Sequence, residues 1–373
     1  MSTSIILLLL LGGVLIVPAL GGGDDDEESS GNANGDEANE ILGSSENDTI
    51  NGTSGNDLIR TFLGDDEIYG NDGNDEIRAG GGADYVEGGA GLDFVRGGSG
   101  DDEIYGNDGN DRIISDSGND FVDAGRGADI VRGGAGTDTI LGGINADFDD
   151  EDRPIGNFGV ADQLFGEDSD DLIIAWGGGS FLGGGSNDAD EPSGLTNNDT
   201  LVTVTGEAIM ENRDGNNTNI ALANLQDDQV STAIVLDFDI EDDTLVLTVD
   251  HSSTADMPDP YVPDFTVSFV AGTSETQGDG TFVEVTWDNP YGDPGDTVSE
   301  SARAFLVGYE PSDIDGSQLT DDGGRLLFNE DGSPRLGPLL TPEIYLTEDA
   351  SYTDPLATLS GLGLLPDTAI VPA

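Results

Sequence analysis

Aspartate occupies the sixth position of a nine-residue unit that repeats twelve times without a gap between residues 43 and 150. These aspartates are Asp48, Asp57, Asp66, Asp75, Asp84, Asp93, Asp102, Asp111, Asp120, Asp129, Asp138 and Asp147. Glycine fills the fourth position of ten units, where it allows positive φ and a close approach of the backbone to a ligand. Carboxylates and backbone carbonyls are hard oxygen ligands, and Ca²⁺ takes about six to eight of them in adaptable geometry. The spacing therefore predicts calcium sites in the turns of a repetitive fold.

The last three positions of each unit have the character of a short strand. The eighth position is isoleucine or valine in eleven of the twelve units, and these β-branched side chains suit the inward face of a strand. One unit cannot bury its aliphatic side chain alone, so neighbouring units must stack. Turn, strand, turn and strand then form one coil of two units, which sends successive aspartates to opposite edges.

The pattern resembles the GGxGxDxUx repeat of the RTX family, as in GGSGDDEIY at 97–105 and GNDGNDRII at 106–114. The resemblance covers about a third of the chain. It implies a calcium-bound parallel β-roll, with ions held by the repeat aspartates and the carbonyls of the glycine turns. It would place Asp48, Asp66, Asp84, Asp102, Asp120 and Asp138 on one edge and Asp57, Asp75, Asp93, Asp111, Asp129 and Asp147 on the other. It also implies type I secretion machinery as a partner.

The array is interrupted after its twelfth unit. That unit has Asn145 in place of glycine and Asp149 in the aliphatic column, which is typical of an end cap, and an acidic insert runs to residue 156. The pattern resumes weakly within residues 151–197. Asp162 and Asp171 take the sixth position there and are predicted as further metal ligands, whereas Ser180 replaces the next aspartate. We expect these degenerate repeats to close the roll.

Charge and cysteine content narrow the classes of function. The chain has 77 acidic residues against 11 basic ones, all arginine, for a net charge of −66, and it has no cysteine. So acidic a surface is a poor partner for nucleic acid or anionic membranes. Disulfides and cysteine metal sites are excluded. Self-repulsion opposes the compact state, so metal binding and folding are expected to be one process.

Composition alone also favours a disordered acidic tract. The unbroken aliphatic column opposes that interpretation, because disorder imposes no such register. Without calcium, however, the repeats are expected to be disordered.

The N-terminal segment 1–20 is apolar, and 21–42 is an acidic linker rich in Gly, Ser and Asn. Residues 5–20 resemble the apolar region of an export signal or a short anchor, although no Lys or Arg precedes them. This predicts a secreted protein, with membrane contact only if the segment is not cleaved.

Residues 198–373 have a different pattern. Strand-like segments separated by turn residues predict an antiparallel, sandwich-like β domain. The fold class is therefore all-β: a parallel β-roll over 43–150, followed by this second domain.

Sequence motifs for catalysis are sparse. The single histidine, His251, excludes an H-E-x-x-H zinc site, and no G-x-S-x-G motif occurs. Asp237, Asp239, Asp242 and Asp243 fit a paired-carboxylate site, a hairpin turn or a further calcium loop. Two hypotheses remain. The chain is a secreted, calcium-binding structural or adhesive protein, or it is a polysaccharide-active lyase, epimerase or hydrolase whose site lies in 198–373.

Four of the eleven arginines share one column of the repeats. Arg60, Arg78, Arg96 and Arg132 fall at the ninth position of even-numbered units, which points outward if the eighth points inward. One interpretation is charge balance with nearby carboxylates. The other is a docking stripe for an extracellular acidic polysaccharide, since arginine binds carboxylate in a bidentate manner.

Overall fold

The computed structural model of the chain describes residues 15–17, 39–143, 147–148, 154–155, 161–176, 180–185, 198–204, 207–211, 215–224, 232–238, 243–250, 265–274, 278–288, 299–311, 327–328 and 334–335. All of its regular secondary structure is β-strand. In this part of the chain no helix is long and apolar enough to cross a membrane.

The strands follow one another at short intervals along the chain. Those before residue 144 are β1 (Leu15–Val17), β2 (Asn39–Leu42), β3 (Thr49–Asn51), β4 (Asp57–Leu63), β5 (Glu67–Tyr69), β6 (Glu76–Gly81), β7 (Tyr85–Gly91), β8 (Phe94–Ser99), β9 (Glu103–Gly109), β10 (Arg112–Ser117), β11 (Phe121–Asp123), β12 (Ile130–Ala135) and β13 (Thr139–Leu141). Those after it are β14 (Asp147–Phe148), β15 (Pro154–Ile155), β16 (Gln163–Asp168), β17 (Leu172–Trp176), β18 (Ser180–Gly185), β19 (Thr200–Val204), β20 (Glu207–Glu211), β21 (Thr218–Asn224), β22 (Thr232–Val235), β23 (Thr244–Asp250), β24 (Phe265–Ser274), β25 (Gly278–Asp288), β26 (Ser299–Val307), β27 (Leu327–Phe328) and β28 (Pro334–Arg335).

Most of these strands form two sheets. The larger has fourteen strands in the order β1-β2-β4-β6-β8-β10-β12-β16-β18-β20-β22-β26-β25-β24, and the smaller has ten in the order β23-β21-β19-β17-β13-β11-β9-β7-β5-β3. Within the repeats the strands are parallel and pair residues eighteen apart, as Val86 pairs with Ile104 and Ile104 with Val122. Two nine-residue units therefore make one coil, and the predicted β-roll is confirmed.

The core of the roll is the aliphatic column of the repeats. The Ile and Val side chains at the eighth position of both sheets pack into one buried cluster, and Val95, Ile104 and Ile113 have no exposed surface. Most strands of the repeats bury this residue between more exposed neighbours, as the alternation of side chains along a strand requires. In β11 and β13 the flanking Phe121, Thr139 and Leu141 are buried as well. The stacked coils thus supply the burial that one coil lacks.

The insert after the twelfth unit leaves the roll intact. Strand β12 pairs directly with β16, so Val131 is followed in its column by Leu164. Asp147 and Phe148 form β14, which pairs with β15 in a separate two-stranded sheet. The segment between β13 and β16 therefore separates, in sequence, two coils that are adjacent in the roll.

The ends of the roll differ from the positions expected from the sequence. It begins at Asn39, inside the predicted linker, because β2 already pairs in parallel with β4. Leu15–Val17 forms β1, antiparallel to β2, while most of the predicted export segment lies outside the described residues.

Parallel pairing also continues beyond residue 198. Strands β19, β21 and β23 extend the smaller sheet, and β20 and β22 extend the larger one. The antiparallel pairing predicted for this half is present in β24–β26 and in β27–β28. Hydrophobic alternation marks a strand but not the direction of its partner, which is why the sequence alone did not show the continuation.

Candidate metal centre

Two ladders of aspartates run along the two edges of the roll. Along each ladder, the backbone N–H of one aspartate donates to Oδ1 of the aspartate one coil further on. The distance is 2.8 Å from the amide of Asp66 to Oδ1 of Asp84, and 2.9 Å from the amide of Asp84 to Oδ1 of Asp102. One ladder contains Asp48, Asp66, Asp84, Asp102, Asp120, Asp138 and Asp171, and the other contains Asp57, Asp75, Asp93, Asp111, Asp129 and Asp162. The alternation of edges therefore matches the prediction, with one exception.

The exception is Asp147. The residue that accepts the hydrogen bond from the Asp129 amide is Asp162, at 3.0 Å, while Asp147 lies on β14 beside Ile155. Asp147 and Phe148 of the twelfth unit lie in a separate two-stranded sheet, and Asp162 takes the ladder position expected for Asp147. Asp147 is therefore outside the ladders, whereas Asp162 and Asp171, predicted from the weaker repeats, are members of them.

Most ladder carboxylates are fixed by the backbone through Oδ1, while Oδ2 has no hydrogen-bond partner in the described structure. Asp48 and Asp57, at the first coils, are exceptions, because their Oδ2 atoms accept from Ser44 and Thr53. The carbonyl of Asp102 accepts from the amide of Phe121 at 2.8 Å, and the amide of Asp102 donates to Asp120. Both main-chain polar groups of Asp102 therefore bond to the next coil. The Oδ2 atoms are buried and have no hydrogen-bond partner among the described residues at Asp66, Asp75, Asp84, Asp93, Asp102, Asp111, Asp120, Asp129, Asp138, Asp171 and Asp199. A buried polar atom without a partner costs free energy, so these oxygens require an explanation.

The glycine turns lie directly beside these oxygens. A Cβ atom placed on Gly70 would lie 2.7 Å from Oδ2 of Asp75, and one on Gly106 would lie 2.8 Å from Oδ2 of Asp111. Any larger residue at the first position of these units would therefore close the space that Oδ2 faces. Glycine keeps the backbone of the turn close to the carboxylate.

Burial makes the charged form of these carboxylates unfavourable. Desolvation raises the pKa of Asp102 and Asp138 to about 8 and that of Asp111 and Asp129 to about 7, against an ordinary value of 3.8. The hydrogen bond from the preceding aspartate's amide lowers each pKa, and neighbouring ladder carboxylates raise the pKa of Asp102 further. A cation between the coils would remove this penalty.

The donor set fits calcium. Among the described residues, no three His, Cys, Asp or Glu side chains form a group that could hold a metal ion unaided. Ions in these turns would combine the free Oδ2 atoms with backbone carbonyls of the glycine turns. Oxygen-only ligands with few charges per site suit Ca²⁺, which tolerates a high and irregular coordination number.

A further set of hydrogen bonds, which the sequence analysis missed, runs in the opposite direction at the fifth position of the repeats. The Oδ1 atom of Asn74 accepts from the amide of Leu92 at 2.9 Å, and Oδ1 of Asn110 accepts from Ala128 at 2.9 Å. Sixth-position side chains thus bond the preceding coil, while fifth-position side chains bond the following one. The recurrent Asn-Asp and Asp-Asp pairs of the repeats were the signal for it.

One ladder continues past the recognisable repeats. The amide of Asp171 donates to Asp199 at 3.0 Å, the amide of Asp199 to Asn217 at 2.9 Å, and the amide of Asn217 to Asp243 at 2.9 Å. Asp199 is 1% exposed, and desolvation raises its pKa to about 7. Asp199 and Asn217 were absent from the predicted ligands. Each ends an Asn-Asp or Asn-Asn pair of the kind seen in the repeats, which could have revealed them.

The other ladder ends sooner. The amide of Asp162 donates to Oγ of Ser180 at 3.2 Å. In the next two strands of that sheet the equivalent residue is alanine: Ser180 pairs with Ala208, and Ala208 pairs with Ala233. The two edges of the roll are therefore chemically different beyond residue 180. Of the four acidic residues considered for catalysis, Asp243 belongs to the ladder and Asp237 is exposed just after β22. Asp239 and Asp242 lie outside the described residues, as does His251.

The arginine column lies on the outer face of the larger sheet, as predicted. Arg60, Arg78, Arg96 and Arg132 each contact a carboxylate: Glu40 at 3.4 Å, Glu76 at 2.6 Å, Asp116 at 2.9 Å and Glu167 at 3.2 Å, respectively. These exposed pairs support charge balance as one role of the column, and each contributes roughly 0–1 kcal/mol to stability.

Comparison with known protein families gives one match. The model of the RTX calcium-binding nonapeptide repeat matches residues 34–149, in overlapping segments, and residues 161–182. Residues 34–182 carry RTX calcium-binding repeats. The match begins before residue 43 and skips the insert, as the coils themselves do. No curated protein matches the chain.

Proposed function

We propose that this chain is a secreted protein whose RTX repeats fold on binding calcium, and that the folded roll serves a structural or adhesive role outside the cell. The observation that carries the proposal is the row of buried Oδ2 atoms without partners. Calcium supplies the partner that each of them lacks. Each ion that binds only the folded state stabilises it by RT ln(1 + [L]/Kd), or about 2.7 kcal/mol at a hundred times Kd.

Several features support an extracellular role. Extracellular calcium-binding modules typically have Kd values of about 10⁻⁴ to 10⁻³ M, so they are loaded at millimolar calcium. The chain lacks cysteine, so bound ions would take the stabilising part that disulfides take in other secreted domains. A net charge of −66 keeps the unfolded chain expanded and soluble until ions are available. The apolar residues 5–20 resemble an export signal, which supports secretion.

Circular dichroism of the full chain tests the calcium-driven step. In calcium-free buffer at about pH 8, where most ladder carboxylates are charged, we expect a largely disordered spectrum, which converts to a β spectrum when millimolar Ca²⁺ is added. Mg²⁺ at the same concentration is the matched control, since its demand for octahedral geometry and its slow dehydration make these turns a poor site. A complete β spectrum in the absence of calcium would contradict the proposal.

A further inference from the structure

The coil that leads to Asp199 lies beyond the family match but keeps the contacts of the repeats. The match ends at residue 182, and Asp171 and Asp199 are 28 residues apart, where consecutive members of a ladder in the repeats are 18 apart. The amide of Thr200 nevertheless donates to the carbonyl of Asp171 at 2.8 Å, and the amide of Asn198 donates to Oδ1 of Asp170 at 2.7 Å. The backbone and fifth-position contacts of the repeats are therefore retained at this coil, despite its longer connection.

The carboxylate of Asp199 is held by one oxygen and unpaired at the other. Oδ1 accepts from the amide of Asp171 at 3.0 Å, whereas Oδ2 is buried and has no hydrogen-bond partner among the described residues. No salt bridge within the described part of the chain includes Asp199, and the residue is 1% exposed. A buried carboxylate without an opposite charge costs free energy, so this oxygen needs a positively charged partner.

A glycine lies beside the free oxygen of Asp199, as in the repeats. Gly184 occupies the position on β18 that Gly166 occupies on the adjacent strand β16. A Cβ atom on Gly184 would collide with Oδ2 of Asp199, and one on Gly166 would collide with Oδ2 of Asp171. Glycine therefore keeps a space open in front of both carboxylates, although Gly184 lies outside the residues that the family model matches.

The equivalent space in the repeats is bordered by two kinds of oxygen. A Cβ atom on Gly88 would lie 2.9 Å from Oδ2 of Asp93 and 2.9 Å from the carbonyl oxygen of Gly106, which belongs to the next coil. A carboxylate and a carbonyl of neighbouring coils therefore face one space, and Ca²⁺ takes both kinds of hard oxygen ligand. The free Oδ2 atoms of Asp171 and Asp199, on adjacent coils, continue this arrangement past the repeats.

Charge decides which neighbour of Asp199 shares an ion with it. The next member of the ladder is Asn217, which is 2% exposed and accepts from the Asp199 amide at 2.9 Å through a neutral side chain. On the other edge of the roll, Ser180 and Ala208 replace the aspartates. Asp171 and Asp199 thus bring two carboxylates to adjacent turns, whereas Asp199 and Asn217 bring one.

We propose that Asp199 is a calcium ligand, and that the ion lies between the turns of Asp171 and Asp199. The inference rests on the calcium-folded repeats proposed above and adds a site outside the residues matched by the family model. The Oδ2 atoms of the two aspartates, together with backbone carbonyls, supply the oxygen ligands. Strand β17, which follows Asp171, pairs with β19, which follows Asp199, so the ion joins the strands beyond residue 198 to the repeats.

Native mass spectrometry of the calcium-saturated full chain counts the bound ions and tests the proposal. Asp199→Asn keeps an acceptor for the Asp171 amide but removes the charge, so the folded variant should bind one calcium ion fewer than the parent. Asp147→Asn removes the same charge outside the ladders and is the matched control, which should bind as many ions as the parent. Circular dichroism in saturating calcium checks that both variants are folded. A folded Asp199→Asn with an unchanged count, or an equal loss in both variants, would overturn the inference.

Anomalous diffraction from crystals of the calcium-bound parent locates the ion directly, and it decides the question even if Asp199→Asn does not fold. An ion should lie about 2.3–2.6 Å from Oδ2 of Asp199. Ions beside the aspartates of the repeats with none at Asp199 would overturn this inference and leave calcium-driven folding of the repeats intact. A parent that folds completely in the absence of calcium would contradict the proposed function itself, and this inference with it.

Discussion

The backbone amide of Asp102 donates to Oδ1 of Asp120, eighteen residues further along the chain, at 2.8 Å. The Oδ2 atom of Asp120 is buried and has no hydrogen-bond partner in the described structure. One side chain therefore has two tasks: Oδ1 holds the stack of coils together, and Oδ2 is available to a cation. This division allows the structural and the metal-binding contributions of an aspartate to be separated by experiment.

Coupling between aspartates should follow the edge of the roll and not the distance in sequence. In double-mutant cycles with alanine in saturating calcium, Asp102 should couple to Asp84 and Asp120 by about 0.5–3 kcal/mol, the range found for residues in contact. Asp93 and Asp111 are nearer in sequence but lie on the other ladder. Their coupling to Asp102 should be within about 0.5 kcal/mol of zero. Equal coupling at nine and eighteen residues would contradict the two-unit coil.

Replacing Asp120 by asparagine should have opposite effects with and without calcium. Asparagine keeps an oxygen that can accept from the amide of Asp102, but it removes a buried charge whose pKa desolvation raises to about 6. We expect the calcium-free roll to become more stable and the calcium concentration needed for folding to rise. Asp116→Asn, on an exposed pair with Arg96, is the control and should leave the calcium titration nearly unchanged.

The calcium-free roll should lose stability as the pH rises from about 5 to 8. Asp75, Asp111 and Asp129 have pKa values raised to about 7 by desolvation, while the unfolded chain releases these protons near 3.8. Between these values the folded state binds more protons, so stability is present at low pH and lost as the pH rises through the folded pKa. Circular dichroism of protein freed of calcium on a chelating resin measures the loss.

Saturating calcium should flatten this dependence, because the ion then holds the carboxylates in their charged form. The range from pH 5 upward avoids the isoelectric point near 4.1, where the protein carries no net charge and association is favoured. A calcium-free roll whose β content increases toward pH 8 would show that desolvation of the ladder does not govern its stability.

The fifth-position hydrogen bonds should stabilise the roll independently of metal. Asn110→Ala removes the acceptor for the Ala128 amide, so we expect a loss of about 0.5–1.5 kcal/mol in calcium, with little change in the number of calcium ions bound. Leu92→Ala changes the same position on the same edge, but leucine has no acceptor to lose. Chemical denaturation in saturating calcium compares the two variants. A larger loss for Leu92→Ala would contradict a role for the amide ladder.

The sequence was sufficient to predict the roll because its period is strict where packing demands it. Aliphatic residues such as Ile104 and aspartates such as Asp102 recur every nine residues, so the coil and its core followed from the spacing, and the resemblance to the RTX repeat placed the aspartates on the two edges. Asp147 shows the limit of that reasoning. It fits the sequence period, but Asp162 fits the three-dimensional register, and only the pairing of β12 with β16 distinguishes them. Asn217 shows another limit, since an amide supports the ladder as an acceptor yet does not match an aspartate motif.

The strands beyond the repeats should fold together with the repeats. The aliphatic column runs from Ile173 to Leu201 in adjacent strands of one sheet, and the ladder joins Asp171 to Asp199. Hydrogen exchange of the full chain should therefore show that calcium protects the amides of β19 and β21 along with those of β9 and β11. An independent C-terminal domain would instead keep β19 and β21 protected when calcium is removed.

Replacing Asp171 by alanine tests the same coupling between the repeats and the later strands, because it perturbs the ladder that joins them. Its carboxylate accepts from the amide of Asp138, its own amide donates to Asp199, and burial with the charges of Asp138 and Asp199 raises its pKa to about 10. The substitution should weaken protection on both sides of residue 171, in β13 and β19, because cooperative units lose protection together. Asp147→Ala, outside the ladders, is the control and should leave both strands protected. If Asp171→Ala affects β13 alone, the ladder does not couple the later coils to the repeats.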